Sequence, residues 1–240
     1  MAAFTAINDP SAYFKIHLYS GTGSSNAQTF ADTDTDMQPD MVWIKTRGVA
    51  ESHVIFDSVR TNGYYLKPDA NSAEIDGSSG GSGIWTSFDS DGFTVAGTSA
   101  RTNTNTYTYV AWCWKESNAT AGFDIVKFEG TGSAHTEAHS LSAVPHFIIF
   151  KGLEVTDNWD TFHTSLGPEV FPYINSTALP ADQTAFMNDT APTSSVFTVG
   201  DATSINSSGK DTIAYCWTAK QGYSKFSSFI GTGNADGPFI

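Results

Sequence analysis

Apolar and polar residues alternate with a period of two along much of this chain, the spacing that sends successive side chains to opposite faces of a β-strand. In YFKIHLYS, residues 13–20, Phe14, Ile16 and Leu18 fall on one face and Lys15, His17 and Tyr19 on the other, which predicts a half-buried strand with its apolar face inward. Short runs of the same kind follow at MVWIKT (41–46), HVIFDSV (53–59), YYLKP (64–68), WTSF (85–88), FTVAG (93–97) and TYTYVAWCWK (106–115). The last is apolar in both parities, Tyr109, Ala111 and Cys113 against Val110, Trp112 and Trp114, and so belongs in the middle of a sheet covered on both sides. Turn residues punctuate the runs: Gly21-Thr22-Gly23 ends the first strand, Pro39 opens the second, and Asp89-Ser90-Asp91-Gly92 has the Asp-Gly pair that suits a tight hairpin. The stretch up to Gln38 reads as a polar loop, and ALPADQTAFM (178–187) as a turn of helix kept short by its proline.

The pattern comes back about a hundred residues later. TYTYVAWCWK returns as DTIAYCWTAK at 211–220, setting Cys113 on Cys216 and Trp114 on Trp217. Phe93-Thr94-Val95 matches Phe197-Thr198-Val199, Pro39 and Lys45 match Pro145 and Lys151, and Gly21-Thr22-Gly23 matches Gly130-Thr131-Gly132. A third opening, GYSKFSSFIGTG at 222–233, repeats GFDIVKFEGTG at 122–132. Many short strands with evenly spaced turns predict an all-β protein. It should consist of two tandem β-sandwich modules, jelly-roll or concanavalin-like, at residues 1–120 and 121–221. Residues 222–240 should supply the opening strand of a truncated third repeat, packing on the second beside the strand at 211–218, because a lone strand is not stable in water.

Charge narrows the partners. A formal net charge of −13 with 12 Lys and Arg argues against nucleic acid, whose binding rests on cationic contacts to phosphate. No apolar run is long enough to span a membrane and the N-terminus MAAFTAINDP has no signal-peptide pattern, which suggests synthesis in a cytoplasm without membrane insertion. The two cysteines occupy equivalent points of separate cores and are expected to be free buried thiols. Four sequons, at Asn118, Asn175, Asn188 and Asn206, are expected by chance in a chain rich in Asn, Ser and Thr.

Candidate chemistry is sparse. Asp32-Thr33-Asp34-Thr35-Asp36 starts like a calcium loop, but Met37 and Trp43 stand where the loop needs Gly and Glu. His135, Glu137 and His139 form H-T-E-A-H instead of the zinc-peptidase H-E-x-x-H, so no metal or other cofactor is expected. Carboxylates for glycoside hydrolysis would have to come from Asp57, Asp89, Asp91 or Asp160, which fall mostly at turns and strand ends. His53 and His163 do not align between the copies, and no G-x-S-x-G elbow occurs. A duplicated chain without a unique constellation reads as a non-enzyme. Of the six tryptophans, Trp43, Trp112, Trp114 and Trp217 are assigned to the cores. Trp85 and Trp159, beside polar loops, are the candidate exposed platforms for a ligand, with Asp89 and Asp91 as polar partners in the manner of a sugar site.

Several stretches resemble a known family. The opening DPSAYF…LYSGTGS, then QPDMVWIKTR, ESHVIFDSVR, WTSFDSDGFTV, TYVAWCWK, NDTAPTSSVFTVG, AYCW and GYSKFSSFIGTGNADGPF are similar to a repeat family of uncharacterised function in marine bacteriophage virion and tail-fibre proteins. The resemblance implies a virion-associated, non-enzymatic structural or adhesion protein in the style of concanavalin-like or laminin-G-like modules. Its partners would be host-surface glycan, another virion protein or a further copy of itself. A purely architectural segment without a ligand and a polysaccharide-degrading enzyme are the alternatives.

Overall fold

The computed structural model describes residues 5–30, 35–78, 84–178 and 181–234. A 3₁₀ turn at Pro10–Ala12 leads into β1 (Phe14–Ser20), β2 (Asn26–Thr29), β3 (Met41–Thr46), β4 (Val54–Asp57), β5 (Tyr64–Tyr65), β6 (Ile75–Asp76), β7 (Trp85–Asp89), β8 (Gly92–Val95) and β9 (Thr108–Trp114). The chain continues through β10 (Phe123–Glu129), β11 (His135–Ala138), β12 (Phe147–Gly152), β13 (Asp160–His163), β14 (Val170–Phe171) and β15 (Ala181–Asp182). It ends with α1 (Thr184–Met187), β16 (Val196–Val199), α2 (Thr203–Asn206) and β17 (Asp211–Trp217). The architecture is all-β, as the alternation predicts. The helical turn expected in 178–187 is α1.

Two four-stranded antiparallel sheets carry the fold. The first has the order β1-β9-β3-β4 and the second β10-β17-β12-β13. In each, the strand that is apolar in both parities sits between two neighbours, β9 between β1 and β3 and β17 between β10 and β12. The registers correspond as well, with Phe14 opposite Trp114 in the first sheet and Phe123 opposite Trp217 in the second.

Three apolar layers separate four layers of strand. One core lies between the first central sheet and an outer sheet ordered β2-β8-β7, and holds Val42, Ile44, Phe56, Trp85, Phe93, Ala111 and Cys113. A second lies between the other central sheet and the β11-β16 pair, and holds Ile148, Phe150, Phe186, Phe197, Ala214 and Cys216. The third joins the two central sheets face to face through Met41, Ile55, Ile125, Ile149, Ile213 and Tyr215. Both cysteines are free and buried. Burial drives both thiols well above the ordinary cysteine range.

Polar contacts pin the third layer. Tyr215 Oη donates to Asp57 Oδ2 at 2.6 Å, Arg60 Nε donates to the same oxygen at 2.6 Å, and Arg60 Nη1 reaches Glu74 at 2.8 Å. Trp159 Nε1 donates to the carbonyls of Lys67 and Ala70 at 3.0 and 3.1 Å.

The recurring Gly-Thr-Gly has a mechanical role. Buried Asn103 accepts from Thr22 N–H and donates to the carbonyls of Ser24 and Gly97, and buried Asn206 does the same with Thr131, Ser133 and Gly200. The turn presses against the chain that carries this Asn, so a Cβ on Gly21 would collide with Thr104 O and one on Gly130 with Ser207 O. Asn206, a sequon by sequence, is fully buried in this role.

Three expectations change. β1 forms where predicted, but its faces are reversed: Lys15 and Tyr19 are buried, whereas Ile16 is 59% and Leu18 58% exposed. The outer sheet covers the face that holds Lys15, whose Nζ lies 5.4 Å above the Phe30 ring, and Tyr19, which stacks on Tyr109 at 5.0 Å. Next, none of residues 225–230 is in a strand, so the expected opening strand of a third repeat is absent from that stretch. Both sides of β17 are already paired, by β10 and β12, which leaves no ladder beside 211–217 to join. The segment instead lays Phe226 on Phe147 and His146, each at 6.1 Å, while Phe229 and Ile230 point into solvent. Finally, the hairpin at 89–92 is tight, but positive φ falls on Gly92 and not on Asp91.

Candidate functional site: an aromatic cleft between the central sheets

The facing surfaces of the two central sheets pack through the third apolar layer and leave part of their area open. A cleft of about 370 Å³ opens there, lined by Phe14, Trp43, Trp114, Phe123, Phe147, Ile149, Trp217, Tyr223 and Phe226. The rings of the two central sheets come from strand positions of one parity, and Tyr223 and Phe226 are added by the segment after the last strand. Phe14, Trp114 and Met41 are cross-strand partners in one sheet, and Phe123, Trp217 and Phe147 occupy the equivalent row of the other. The rings touch in a chain: Phe14 to Trp114 at 4.9 Å, Trp114 to Trp217 at 6.2 Å, Trp217 to Phe123 at 5.0 Å and to Phe147 at 5.7 Å. Tilted and edge-to-face contacts of this kind hold aromatic walls in fixed positions.

The cleft continues onto the open face of the first sheet. Trp43, His53, Trp112 and Trp114 line a second hollow, and Trp43, His53, Pro68 and Asp69 a third. Trp43 Nε1 donates to His53 Nδ1 at 2.9 Å, which places the imidazole proton on the other nitrogen, and burial holds the His53 pKa below its usual value. Among the described residues the indole N–H groups of Trp112, Trp114 and Trp217 have no hydrogen-bond partner. This leaves three donors at the rim of an otherwise apolar surface.

The reading of Trp85 and Trp159 as exposed platforms is overturned, and that of the other four as core holds in part, since Trp43, Trp114 and Trp217 pack against the layer between the central sheets. Trp43, Trp112, Trp114 and Trp217, read as core, are half-buried and line the cleft. Trp85 and Trp159, read as exposed platforms, are buried. Trp85 stacks on Phe56 at 4.3 Å and on Phe93 at 5.6 Å inside the first core, and Trp159 is sealed between the central sheets. Asp89 and Asp91 are engaged structurally: Asp89 accepts from Ser87 and Thr94 hydroxyls of its own hairpin at 2.6 and 2.7 Å, and Asp91 from the N–H of Met37, distant in sequence, at 3.2 Å. The structure does not bring these four together into a platform. A signal for the real cleft was present in the shared parity of Ile16, Trp112 and Trp43, which form one row across three strands.

A family model described as a domain of unknown function, DUF7483, matches residues 9–240. The chain belongs to the DUF7483 family. No curated protein and no solved structure matches it.

A second polar cluster in this DUF7483 chain lies where β9 hands over to β10. Glu116 N–H donates to Asp40 Oδ2 at 2.8 Å, and buried Asp124 accepts from Ser140 N–H at 2.6 Å. Burial, a hydrogen bond with Asp124 and the charges of Asp124 and Asp40 push the Glu116 carboxyl up to about 8. At neutral pH Glu116 therefore keeps its proton and shares it with Asp124. An open hollow beside them is lined by Asn118, Lys127 and His139.

The remaining candidates are dispersed. His135 Nε2 bonds Glu137 at 2.9 Å, while His139 uses Nε2 on the Thr193 carbonyl and Nδ1 on Leu141 N–H, so their second nitrogens do not converge. Among the described residues no group of three or more His, Cys, Asp or Glu is placed to hold a metal ion. Asp32 and Asp34 of the acidic loop lie outside the described residues. Asp57 is locked between the sheets and Asp160 is buried in the second one, where burial pushes its carboxyl up to about 7. Among the described residues no helix is long and apolar enough to cross a membrane.

Proposed function

We propose that this chain is a non-enzymatic structural or adhesion protein of a bacteriophage particle, and that the aromatic cleft and the open sheet face beside it are its contact surface for another virion protein. One observation carries the reading: exposed Ile16 and Leu18 continue the cleft of Trp43, Trp112 and Trp114 into a single apolar surface. Contiguous exposed apolar surface of this kind is costly in water and marks a protein–protein contact site. The family resemblance supplies the virion setting. Glu116 and Asp124 are in direct hydrogen-bond contact, whereas glycosidases hold their two carboxyls about 5 to 9.5 Å apart. Mass spectrometry of purified particles encoded by the same genome tests the reading. The chain should appear in stoichiometric amount, and its absence from intact particles would refute a virion role.

A second reading, binding of host-surface glycan at the same cleft, is favoured by the free indole N–H groups and by His53 and Asp69 at its rim, polar handles beside an aromatic wall. A glycan array probed with the chain displayed multivalently tests it. Binding that disappears in Trp112→Ala supports it, and a blank array leaves the protein-contact reading standing alone.

A further inference from the structure

The face through which the first central sheet meets the second is only partly covered. Ile16, Leu18, Val110 and Trp112 form its uncovered part. In the second sheet the corresponding positions are Ile125, Lys127, Ile213 and Tyr215, where Ile125, Ile213 and Tyr215 are buried against the first sheet. We propose that the uncovered half-face is a homotypic interface, on which a second copy of the chain seats its own Ile16, Leu18 and Trp112 across a two-fold axis. The inference rests on the protein-contact reading above and names the partner.

Three observations single out a second copy. The patch is continuous with an interface already present in the molecule, and that interface shows what such a stripe pairs with: the apolar face of another central sheet. The chain carries 25 Asp and Glu, yet the facing positions Phe14, Ile16, Leu18 and Ser20 of β1, Thr108 to Trp114 of β9 in the same parity, and Met41, Trp43 and Lys45 of β3 include no carboxylate. An isologous pairing centred on β1 and β9 therefore brings no carboxylate from these strands into the contact, with Asp69 left at the rim, and self-complementarity is what a two-fold interface requires. Edge-to-edge pairing through β1 is a different arrangement, and Lys15, turned inward, is the kind of device that guards an edge strand.

Sedimentation velocity of the full chain over a concentration series tests the proposal. A monomer–dimer equilibrium is expected, and added salt should favour the dimer because it screens the repulsion between two chains of net charge −13. The doubly substituted variant Ile16→Lys with Leu18→Lys should lose the dimer while keeping the wild-type melting temperature, since both positions are exposed in the monomer. A Leu18→Cys variant should form disulfide-linked dimers under mild oxidation, the native thiols being buried. A wild-type chain that stays monomeric throughout, or a dimer that persists in the double variant, overturns the inference. If the chain is monomeric but the double variant is lost from purified particles, the partner is a different virion protein: the homotypic inference fails and the assembly role survives.

Discussion

Replacing Tyr215 with Phe removes one oxygen from the centre of the molecule and tests whether the two central sheets are held by polar chemistry as well as apolar contact. The hydroxyl donates to Asp57 Oδ2 at 2.6 Å, and both side chains are buried. Asp57 retains Arg60 Nε at 2.6 Å, Arg60 N–H at 3.0 Å and Val59 N–H at 3.2 Å, so the carboxylate is weakened but not orphaned. A hydrogen bond to a charged group contributes about 1.5–3 kcal/mol, and with three donors left the loss should sit near ~2 kcal/mol. In a chain of this length that corresponds to a fall in Tm of roughly 4–8 °C. Asp57→Ala should cost more, about 3–5 kcal/mol, because it strands the Arg60 guanidinium in the interior with Glu74 as its remaining acidic partner. Urea unfolding followed by tryptophan fluorescence gives the free energies. In the Asp57→Ala background the Tyr215→Phe change should cost far less than it does alone, because its acceptor is gone. Equal losses in the two backgrounds, or a Tyr215→Phe protein within about 0.5 kcal/mol of wild type, would refute the polar lock.

Other outcomes follow from the same contacts. The Glu116 carboxyl titrates in the folded chain at about 8, above its value of 4.5 in the unfolded chain, so between those pH values the folded state holds the extra proton and stability falls as pH rises. Asp160, raised to about 7 from 3.8, acts in the same direction. Below pH 6.5 the lowered pKa values of His53, His139 and His163 act in the opposite direction, and Lys151, lowered to about 8, opposes the trend near that pH. The test is therefore the difference between proteins: from pH 6.5 to 7.5 Glu116→Gln should lose less stability than wild type as pH rises, and an unchanged slope in that variant would remove Glu116 as a cause. Asn206→Ala leaves Thr131 N–H and two carbonyls without their partner inside the second half of the chain, and should cost about 2–3 kcal/mol by denaturant titration. Cys113 and Cys216 should resist a bulky thiol reagent in native buffer and react at once in denaturant, and prompt native labelling would contradict their burial.

The alternation of single residues was enough to locate most of the strands and to place β9 and β17 in the middle of their sheets, but the expected cover on both faces of β9 is only partial, because Val110 and Trp112 lie beside exposed Ile16 and Leu18. It also located the Gly-Thr-Gly turns, although not the buried Asn103 and Asn206 that hold them. β2 and β11 were not legible: NAQT and HTEA have no apolar face, and they become strands because β8 and β16 offer them a ladder. Which face of a strand ends up buried was not legible either. Ile16 and Leu18 look like core until the outer sheet is seen to cover Lys15 and Tyr19, and Trp85 looks like a surface platform until Phe56 and Phe93 close over it. The cleft depends on contacts such as Trp114 with Trp217 and Asp57 with Tyr215, made between distant parts of the chain. Local periodicity says that a face is apolar. What lies opposite that face is decided by the packing of one sheet on another, and with it whether a tryptophan becomes core or lines a site.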